Sequence, residues 1–335
     1  PDRMTYDVIA RKKALDRYAA QRTERELAYA RTVRELNTRI PRLAEIEREL
    51  SSCGLMIVEN VVKGGESVEQ NVADIKAHTK TLRAERAALL KEHGLPSDLI
   101  DGHASCPHCN DTGYVGSEMC VCLRAVYREE QMESLSELFS QSEGRIETFD
   151  EMQYSPVKAE NNPVAPREYM RLIAEKCKKY ADAFSDQSPN LLFSGESGAG
   201  KTFFMACIAR AAIEKNASVV YKTAFTLAKQ FEDDRFSRSE DADAELERCA
   251  KCDLLLIDNL GTETTTAYTA SALYQLLNRR IAAKHPTILA TAMNIDEIAA
   301  RYGSHMSARL RSDFILLPVY PRIHAIRKTR SILEI

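Results

Sequence analysis

The sequence of 335 residues lacks any apolar run that approaches the roughly 18–20 residues of a membrane span. Its first thirty residues are too charged for a secretory signal peptide. Internal repeats and low-complexity tracts are also absent. These absences argue against a membrane-spanning or secreted protein and against a repeat architecture. We therefore expect a cytoplasmic protein with no membrane partner.

An excess of positive charge is absent as well, because 46 Lys and Arg stand against 49 Asp and Glu, for a net charge of −3. Any nucleic-acid contact would have to use a local basic patch. Two stretches are locally basic, NRRIAAKH (278–285) and IRKTR (326–330), but neither contains an aromatic ring of Phe, Tyr or Trp for base stacking. Both a solvated surface and a contact with single-stranded DNA stay open.

The second half of the chain has short β-rich runs that alternate with helical segments. The runs lie at 190–195, 217–223, 252–258 and 286–292. Alternation of this kind predicts a parallel sheet with helices on both faces. The predicted fold class of this half is therefore α/β.

The first hundred residues have helical periodicity and are rich in Arg, Glu, Ala and Leu. Pro41 predicts a break in the first helix near 37–41. KGGES (63–67) predicts a turn, and 68–94 predicts a second helix, so the pair should form an antiparallel hairpin. Packing of the hairpin on itself or on a copy and docking of a partner both stay open. The spacing of a short coiled-coil seam is present at Val33, Leu36, Ile40, Leu43 and Leu50.

A glycine-rich stretch directly follows the apolar run at 190–195. GESGAGKT fits the phosphate-loop pattern G-x-x-x-x-G-K-[ST] between a predicted strand and a predicted helix. Successive main-chain N–H groups in such a loop can surround phosphates, and glycine allows positive φ. Lys201 would neutralise the β- and γ-phosphates, and the Thr202 hydroxyl would ligate Mg²⁺. The residues predicted to bind ATP or ADP are Gly195, Glu196, Ser197, Gly198, Ala199, Gly200, Lys201 and Thr202.

A second apolar run ends in an acidic residue. CDLLLIDNLG places Asp258 at the carboxyl end of a predicted strand, where open α/β sheets bind their ligands. We predict that Asp258 holds Mg²⁺ through water and joins Thr202 in the magnesium site.

Four of the nine cysteines crowd into residues 106–122, as CPHCNDTGYVGSEMCVC. Four thiolates in two close pairs can complete a tetrahedral Zn²⁺ shell with Zn–S bonds of about 2.3 Å. A module this short cannot build an adequate core, so a bound metal would supply folding energy. The predicted zinc ligands are Cys106, Cys109, Cys120 and Cys122.

Other interpretations of the cysteines stay open. The cluster could be a redox pair or a set of buried free thiols, and His103 or His108 could replace one ligand. Cys249 and Cys252 form a second C-x2-C beside the strand that ends at Asp258. We predict that Cys252 is a core residue rather than part of a second metal site.

These motifs give the chain a clear resemblance. Residues from about 166 to 330 resemble the AAA+ ATPase domain of DnaC/DnaI-type bacterial helicase loaders, which is close to the IstB transposition ATPases. The resemblance implies an AAA+ core that self-assembles with ATP and helps to place a hexameric replicative helicase on single-stranded DNA. It also implies that the zinc module contacts the helicase. The stretches that carry it are GESGAGKT, LLLIDNLGTE, SALYQLLNRRI, PTILATAMNIDEI and SARLRSDFILLPV.

The resemblance implies further roles and also exposes departures. Arg309 lies where the family has its arginine finger, with Arg311 as the alternative and an ordinary exposed arginine as the plain interpretation. The acidic residue expected after Asp258 is Asn259, whose amide cannot accept a proton, so hydrolysis should be weak unless Glu263 substitutes.

The sensor positions also depart from the family pattern. The sensor asparagine expected near 292 is Ala292, and Asn294 is the next candidate. The terminal sensor motif appears as PRIHA (321–325), which leaves Arg327 as a candidate.

Together these patterns predict four parts: a helical hairpin or coiled coil at 1–100, a zinc-binding module at 101–125, a helix and linker at 126–165, and an AAA+ ATPase domain at 166–335. The leading functional prediction is an ATP-binding helicase loader with weak conversion of ATP to ADP and phosphate. One alternative is an IstB-like transposition or phage ATPase with a transposase partner, against which the zinc cluster counts. The other is a nucleotide-bound scaffold with little hydrolysis.

Overall fold

The computed structural model describes residues 6–63, 68–101, 104–140, 143–158, 163–237 and 240–322. The turn predicted at 63–67 and the candidates His103 and Arg327 fall wholly or mostly outside these residues. The helices are α1 (Val8–Arg39), α2 (Pro41–Lys63), α3 (Val68–Glu92), α4 (Val121–Ser134), α5 (Ser136–Phe139), α6 (Pro166–Asp182), α7 (Lys201–Glu214), α8 (Ala224–Ser237), α9 (Glu240–Lys251), α10 (Ala267–Ala283), α11 (Ile295–Tyr302) and α12 (Ser304–Asp313). The strands are β1 (Tyr114–Val115), β2 (Glu118–Met119), β3 (Asn190–Ser194), β4 (Val219–Thr223), β5 (Leu254–Leu260), β6 (Thr287–Thr291) and β7 (Phe314–Pro318).

The chain divides into two compact units. One unit contains Asp16–Leu123, and the other contains both Pro1–Leu15 and Arg124–Ile335. The four-part division stays a prediction, since compactness groups these segments differently. No helix among the described residues is both long enough and apolar enough to cross a bilayer.

The unit of residues 16–123 is built on helices. The predicted break is confirmed, because α1 ends at Arg39 and Pro41 opens α2, where proline needs no N–H partner. The predicted hairpin is also confirmed as α2 and α3. It is antiparallel, since Arg42 pairs with Glu85 at 2.8 Å while Glu49, further along α2, reaches back to His78 at 3.8 Å.

The predicted seam residues face the interior of this unit. Leu36, Ile40 and Leu43 are buried in one cluster with Leu90 and Ile100. The 3-4-3 spacing is therefore satisfied within the chain by α3 and the segment that follows it.

The larger unit is built on a five-stranded parallel sheet in the order β4-β5-β6-β3-β7. This confirms the α/β class. The four apolar runs predicted as strands form β3 to β6, and β7 is an additional edge strand. β5 and β6 pair with a register shift between Ile257 and Leu260.

Both faces of the sheet are covered, which explains why the strands are continuous apolar runs. Successive side chains alternate between two core clusters, one shared with α6 and α7 and the other with α8, α10, α11 and α12. Helix α7 is apolar on most sides because it is itself buried. The strand residues of the first cluster are Leu191, Phe193, Val219, Leu254, Leu256, Ile288, Ala290 and Leu317, and those of the second are Leu192, Val220, Leu255, Ile257, Leu260, Leu289 and Phe314.

Candidate nucleotide and metal sites

The glycine-rich loop connects β3 to the first residue of α7. Gly195, Gly198 and Gly200 have φ of 150°, 77° and 103°, a region that side chains disfavour. A Cβ on Gly195 would lie 2.1 Å from the Val319 carbonyl oxygen. The loop therefore needs glycine for both its conformation and its contact with the chain after β7, and it ends at a helix N-terminus, which favours anions.

Lys201 occupies a position that suits an anionic ligand. Its Nζ donates to the carbonyl oxygens of Gly195 at 2.6 Å and Glu196 at 2.8 Å, and both acceptors are neutral. Burial lowers the pKa of Lys201, while the charges of Asp258 and Glu196 oppose that effect. A buried ammonium held by neutral carbonyls gains most from a phosphate that brings negative charge.

Asp258 lies beside Thr202, as a shared metal site requires. The Thr202 hydroxyl donates to Asp258 Oδ2 at 2.8 Å, and the Asn259 main-chain N–H donates to Oδ1 at 2.7 Å. The sequence did not predict the third donor, the Tyr221 hydroxyl, which lies 3.3 Å from Oδ2. Burial raises the pKa of Tyr221, and the charges of Asp258 and Glu137 raise it further. These contacts fix the carboxylate at the carboxyl end of β5.

A cavity of about 390 Å³ lies over this loop. Arg322 enters it from the chain after β7, and its Nε is buried with no hydrogen-bond partner among the described residues. An orphaned guanidinium nitrogen beside Gly200 is a second group that an anion would satisfy. We call this space the phosphate cavity. The described residues that line it are Glu137, Leu138, Ser140, Ser197, Gly198, Gly200, Lys201, Thr202, Phe203, Tyr221, Asp258, Asn259 and Arg322.

A neighbouring cavity of about 370 Å³ shares Phe203 and Arg322 with the first. It is lined by aromatic rings, including Phe149 and Tyr154, whose centroids are 5.9 Å apart. The Tyr154 hydroxyl donates to the Ala199 carbonyl at 2.9 Å, which ties this wall to the phosphate loop. Aromatic faces next to a phosphate cavity can stack a nucleobase. The sequence did not mark these residues, because they lie some fifty residues before the loop.

Glu263 is not one of the described residues that line the phosphate cavity. The residue is 5% exposed, and its carboxylate accepts hydrogen bonds from the Gly261 N–H at 2.9 Å, the Thr265 hydroxyl at 3.0 Å and the Tyr302 hydroxyl. These donors fold the turn after β5 onto α11. The structure therefore places Glu263 in the hydrogen bonds of that turn, and its predicted substitution for the missing acidic residue stays a prediction.

The other predicted site residues lie in three places. Asn259 has a φ of 57° and lines the cavity, at the register shift of β5. Asn294 caps α11, since its side chain accepts from the N–H groups of Asp296 and Glu297, both at 2.9 Å. Arg309 is an exposed residue of α12, 3.3 Å from Asp313. An arginine finger would act on another subunit, so its role stays a prediction.

The four clustered cysteines come together. Their sulfur atoms all lie within 4.8 Å of one another, with Cys106–Cys120 at 3.7 Å and Cys109–Cys122 at 3.5 Å. Tetrahedral Zn–S bonds of about 2.3 Å place sulfurs about 3.8 Å apart. The four sulfurs therefore fit a zinc ion.

The surroundings of the cluster favour a thiolate at Cys109, whereas burial and the other thiols raise the pKa of Cys122. Burial would raise the pKa of Cys109, but the Gly113 N–H at 3.4 Å and the neighbouring thiols outweigh it and lower the pKa to about 6. The Tyr18 hydroxyl lies 3.2 Å from the Cys122 sulfur. Tyr18 thus connects α1 to the cluster, a contact that no sequence pattern indicated. His108 is exposed and outside the group.

Cys249 and Cys252 are both buried in the second core cluster. They belong to no metal-binding group among the described residues. The Cys252 thiol instead donates to the Cys249 carbonyl at 3.5 Å. Cys252 is a core residue, as predicted.

The basic stretch at 278–285 is not a free basic patch. Arg280 is fully buried and donates to the carbonyls of Cys249 at 2.7 Å and Pro286 at 2.7 Å. Arg279 pairs with Glu247 at 2.8 Å. This stretch therefore offers little charge to a phosphate backbone, and 326–330 lies outside the described residues.

Comparison with known proteins supports the resemblance. Residues 170–312 match the family described as IstB-like ATP binding protein. The replicative helicase loader DnaC of Escherichia coli strain K12 is 26% identical over 136 residues, which are 41% of this chain and 56% of the relative. DnaC of Buchnera aphidicola subsp. Acyrthosiphon pisum is 25% identical over 143 residues, 42% of this chain and 58% of the relative.

A crystal structure of the DnaC helicase loader is 14% identical, with a TM-score of 0.44, and covers 52% of this chain and 96% of that one. The chain spans little more than half the length of these curated relatives. The resemblance to DnaC/DnaI-type loaders that the motifs predicted is confirmed.

Proposed function

We propose that this chain is an ATP-binding, helicase loader-like protein that assists loading of a replicative DNA helicase onto single-stranded DNA during replication. The observation that carries the proposal is the buried Lys201 ammonium, which the phosphate loop holds on two neutral carbonyls at the mouth of a cavity. The matched family is described as ATP-binding, and the curated relatives are helicase loaders.

ATP would occupy the two neighbouring cavities that share Phe203 and Arg322. The triphosphate would meet the main-chain N–H groups of 195–202, Lys201 and Arg322, and the base would lie against Phe149 and Phe203. Thr202 and Asp258 would hold Mg²⁺, because a hydroxyl and a carboxylate are the oxygen ligands that this ion prefers. Bound magnesium would neutralise phosphate charge during transfer.

The cysteine cluster would hold one structural Zn²⁺, since four thiolates close the coordination shell and leave no open position. The ion would stabilise the segment around β1 and β2. By analogy with loaders that carry such a module, the zinc-bearing unit would contact a hexameric helicase.

The chain would work as a slow switch. Asn259 replaces the expected base, so nucleotide binding would control assembly while turnover stays below about 1 per second, under the ordinary enzyme range. ATP would promote self-assembly through Arg309 of one subunit and the nucleotide site of the next. Single-stranded DNA would bind the assembled form. The transposition alternative is not favoured, because the two curated relatives described above are replicative helicase loaders.

The test measures the molar mass in solution of complexes between the purified protein and candidate hexameric helicases, with and without ATP. The wild type should form a nucleotide-dependent complex. Lys201→Ala should bind ATP about 10- to 100-fold more weakly, because it loses a charge-assisted contact of about 1.5–3 kcal/mol. It should keep its zinc. The matched control is Lys178→Ala, an exposed lysine of α6.

Two results would contradict the proposal. One is a wild-type chain that does not bind ATP at millimolar concentration. The other is a complex with a transposase, but not with a helicase, under the same conditions.

A further inference from the structure

Hydrolysis of a phosphoanhydride by water needs an acceptor for the water proton. The residue after Asp258, where the resemblance implies an acid, is Asn259, whose side chain is an amide. An amide can orient water but cannot take its proton at neutral pH. A chain with this substitution needs another proton acceptor at the cavity, and a carboxylate is the simplest candidate.

Glu263 does not fill this role. Both of its carboxylate oxygens already accept hydrogen bonds from the turn after β5 and from α11, and the side chain lines a separate small space with Thr269 and Tyr302. Moving it to the phosphate cavity would leave buried donors unsatisfied, which is costly.

The described lining of the phosphate cavity contains two carboxylates, Asp258 and Glu137. Asp258 is occupied by Thr202, Tyr221 and the main chain, as its metal-binding role requires. Glu137 is exposed to the cavity solvent, and its charge acts on the same Tyr221 hydroxyl that contacts Asp258. Glu137 therefore lines the same cavity as Asp258, and no side-chain hydrogen bond or ion pair among the described residues engages its carboxylate.

The helix that carries Glu137 is firmly held. Leu138 is fully buried, and Leu135 is almost fully buried, in the core cluster that α7 also enters. Phe139 lies under the Arg210 guanidinium, 5.3 Å from its carbon to the ring centroid. α5 is thus held against α7, and its residue Glu137 lines the cavity that the phosphate loop also lines.

We propose that Glu137 of α5 is the general base of the slow hydrolysis, in place of the acid missing at position 259. Water attacks the γ-phosphorus while the Glu137 carboxylate takes its proton. The bond between the γ-phosphorus and the bridging oxygen breaks, and its electron pair stays on ADP. The proton then leaves Glu137 for phosphate or solvent. This inference rests on the proposed function, and it assigns a catalytic residue to a segment that precedes the ATPase domain in sequence.

The experiment measures single-turnover hydrolysis of radiolabelled ATP, with nucleotide affinity measured in parallel by a fluorescent ATP analogue. Glu137→Gln should hydrolyse ATP about 10²-fold more slowly or worse, the usual loss for a general base. Its affinity for ATP should stay within about twofold of wild type. Glu147→Gln, an exposed glutamate of the same linker that lines neither cavity, should match wild type.

The double variant Glu137→Gln/Asn259→Glu should recover turnover, because it restores a carboxylate next to Asp258. A wild-type rate in Glu137→Gln would overturn the proposal, as would a rate restored by excess magnesium, which would make Glu137 a metal-site residue. Wild-type protein that binds ATP without any hydrolysis would overturn this inference alone. Wild-type protein that fails to bind ATP would overturn the proposed function.

Discussion

At the scale of single residues, Gly195 couples the phosphate loop to the sheet edge. Its φ of 150° and the 2.1 Å approach of the Val319 carbonyl leave no room for a methyl group. The neighbouring main chain cannot yield easily, because the Val319 N–H donates to the Ser194 carbonyl at 2.7 Å. Gly195→Ala should therefore destabilise the larger unit by about 1–3 kcal/mol, the usual strain at such positions, and should weaken ATP binding.

Hydrogen-exchange mass spectrometry can follow each unit separately in this variant. Exchange should accelerate in β3 and β7 and stay unchanged in α2 and α3. The control is Gly54→Ala in α2, where an added Cβ meets nothing within 4 Å, so α2 should gain about 0.5–1 kcal/mol. Unchanged exchange in β3 and β7 of Gly195→Ala would refute the argument.

The site was predictable only where its residues follow a fixed spacing. Lys201 and Thr202 belong to one contiguous pattern, and Asp258 follows an apolar strand, so their types and places identify them. Arg322 and Tyr221 have no such pattern. They reach the site because the sheet is parallel, so the carboxyl ends of β7 and β4 lie on the same side as those of β3 and β5. That adjacency depends on strand order, which the sequence does not state.

At the scale of elements, the segment around β1 and β2 has too little structure of its own to stay folded. Each strand has two residues, and its buried cluster consists of the cysteines themselves. We predict that Cys120→Ser, or treatment with a strong chelator, removes the single zinc ion and abolishes exchange protection over 104–123. Elemental mass spectrometry measures the loss of zinc. The visible absorption of the protein loaded with Co²⁺ in place of Zn²⁺ shows whether the four-sulfur site still forms.

Cys53→Ser is the matched control for this prediction. Cys53 is a buried residue of the same unit, but it packs between α2 and α3. The Cys53→Ser variant should keep one zinc ion per chain, while the stability of the hairpin formed by α2 and α3 should fall. ATP affinity should be unchanged in both variants, and full exchange protection in metal-free protein would show that the cluster is not a zinc site.

The sequence predicted the strands that are buried on both faces of the sheet. It did not predict the strand that is partly exposed. β3 to β6 are apolar throughout because the sheet is covered on both faces. β7 was missed as a strand, since Ile315 and Leu316 are exposed at the sheet edge and only Phe314 and Leu317 are buried. The sequence of that segment is a short apolar run, but its burial is neither two-sided nor strictly alternating.

At the scale of the whole molecule, the larger unit is assembled from two distant parts of the chain. Residues 1–15 belong to it although residues 16–123 form the other unit. Asp7 accounts for the connection. Its main-chain N–H donates to the Tyr127 hydroxyl at 2.9 Å, its Oδ1 accepts from the Ala10 N–H at 2.8 Å, and its Oδ2 pairs with Arg248. No pattern in the sequence links positions 7 and 248.

Asp7→Ala should destabilise the larger unit by about 3 kcal/mol. That is the low end for removing one partner of a buried ion pair, because Arg248 keeps Glu245 at 2.9 Å. Urea unfolding followed by hydrogen exchange in β4 and α9 measures the change. Lys251→Ala, which breaks an exposed pair with Glu247 on the same helix, should leave the unfolding midpoint unchanged. If Asp7→Ala behaves like this control, residues 6–15 do not stabilise the larger unit, and that unit should then fold from Arg124 onward without them.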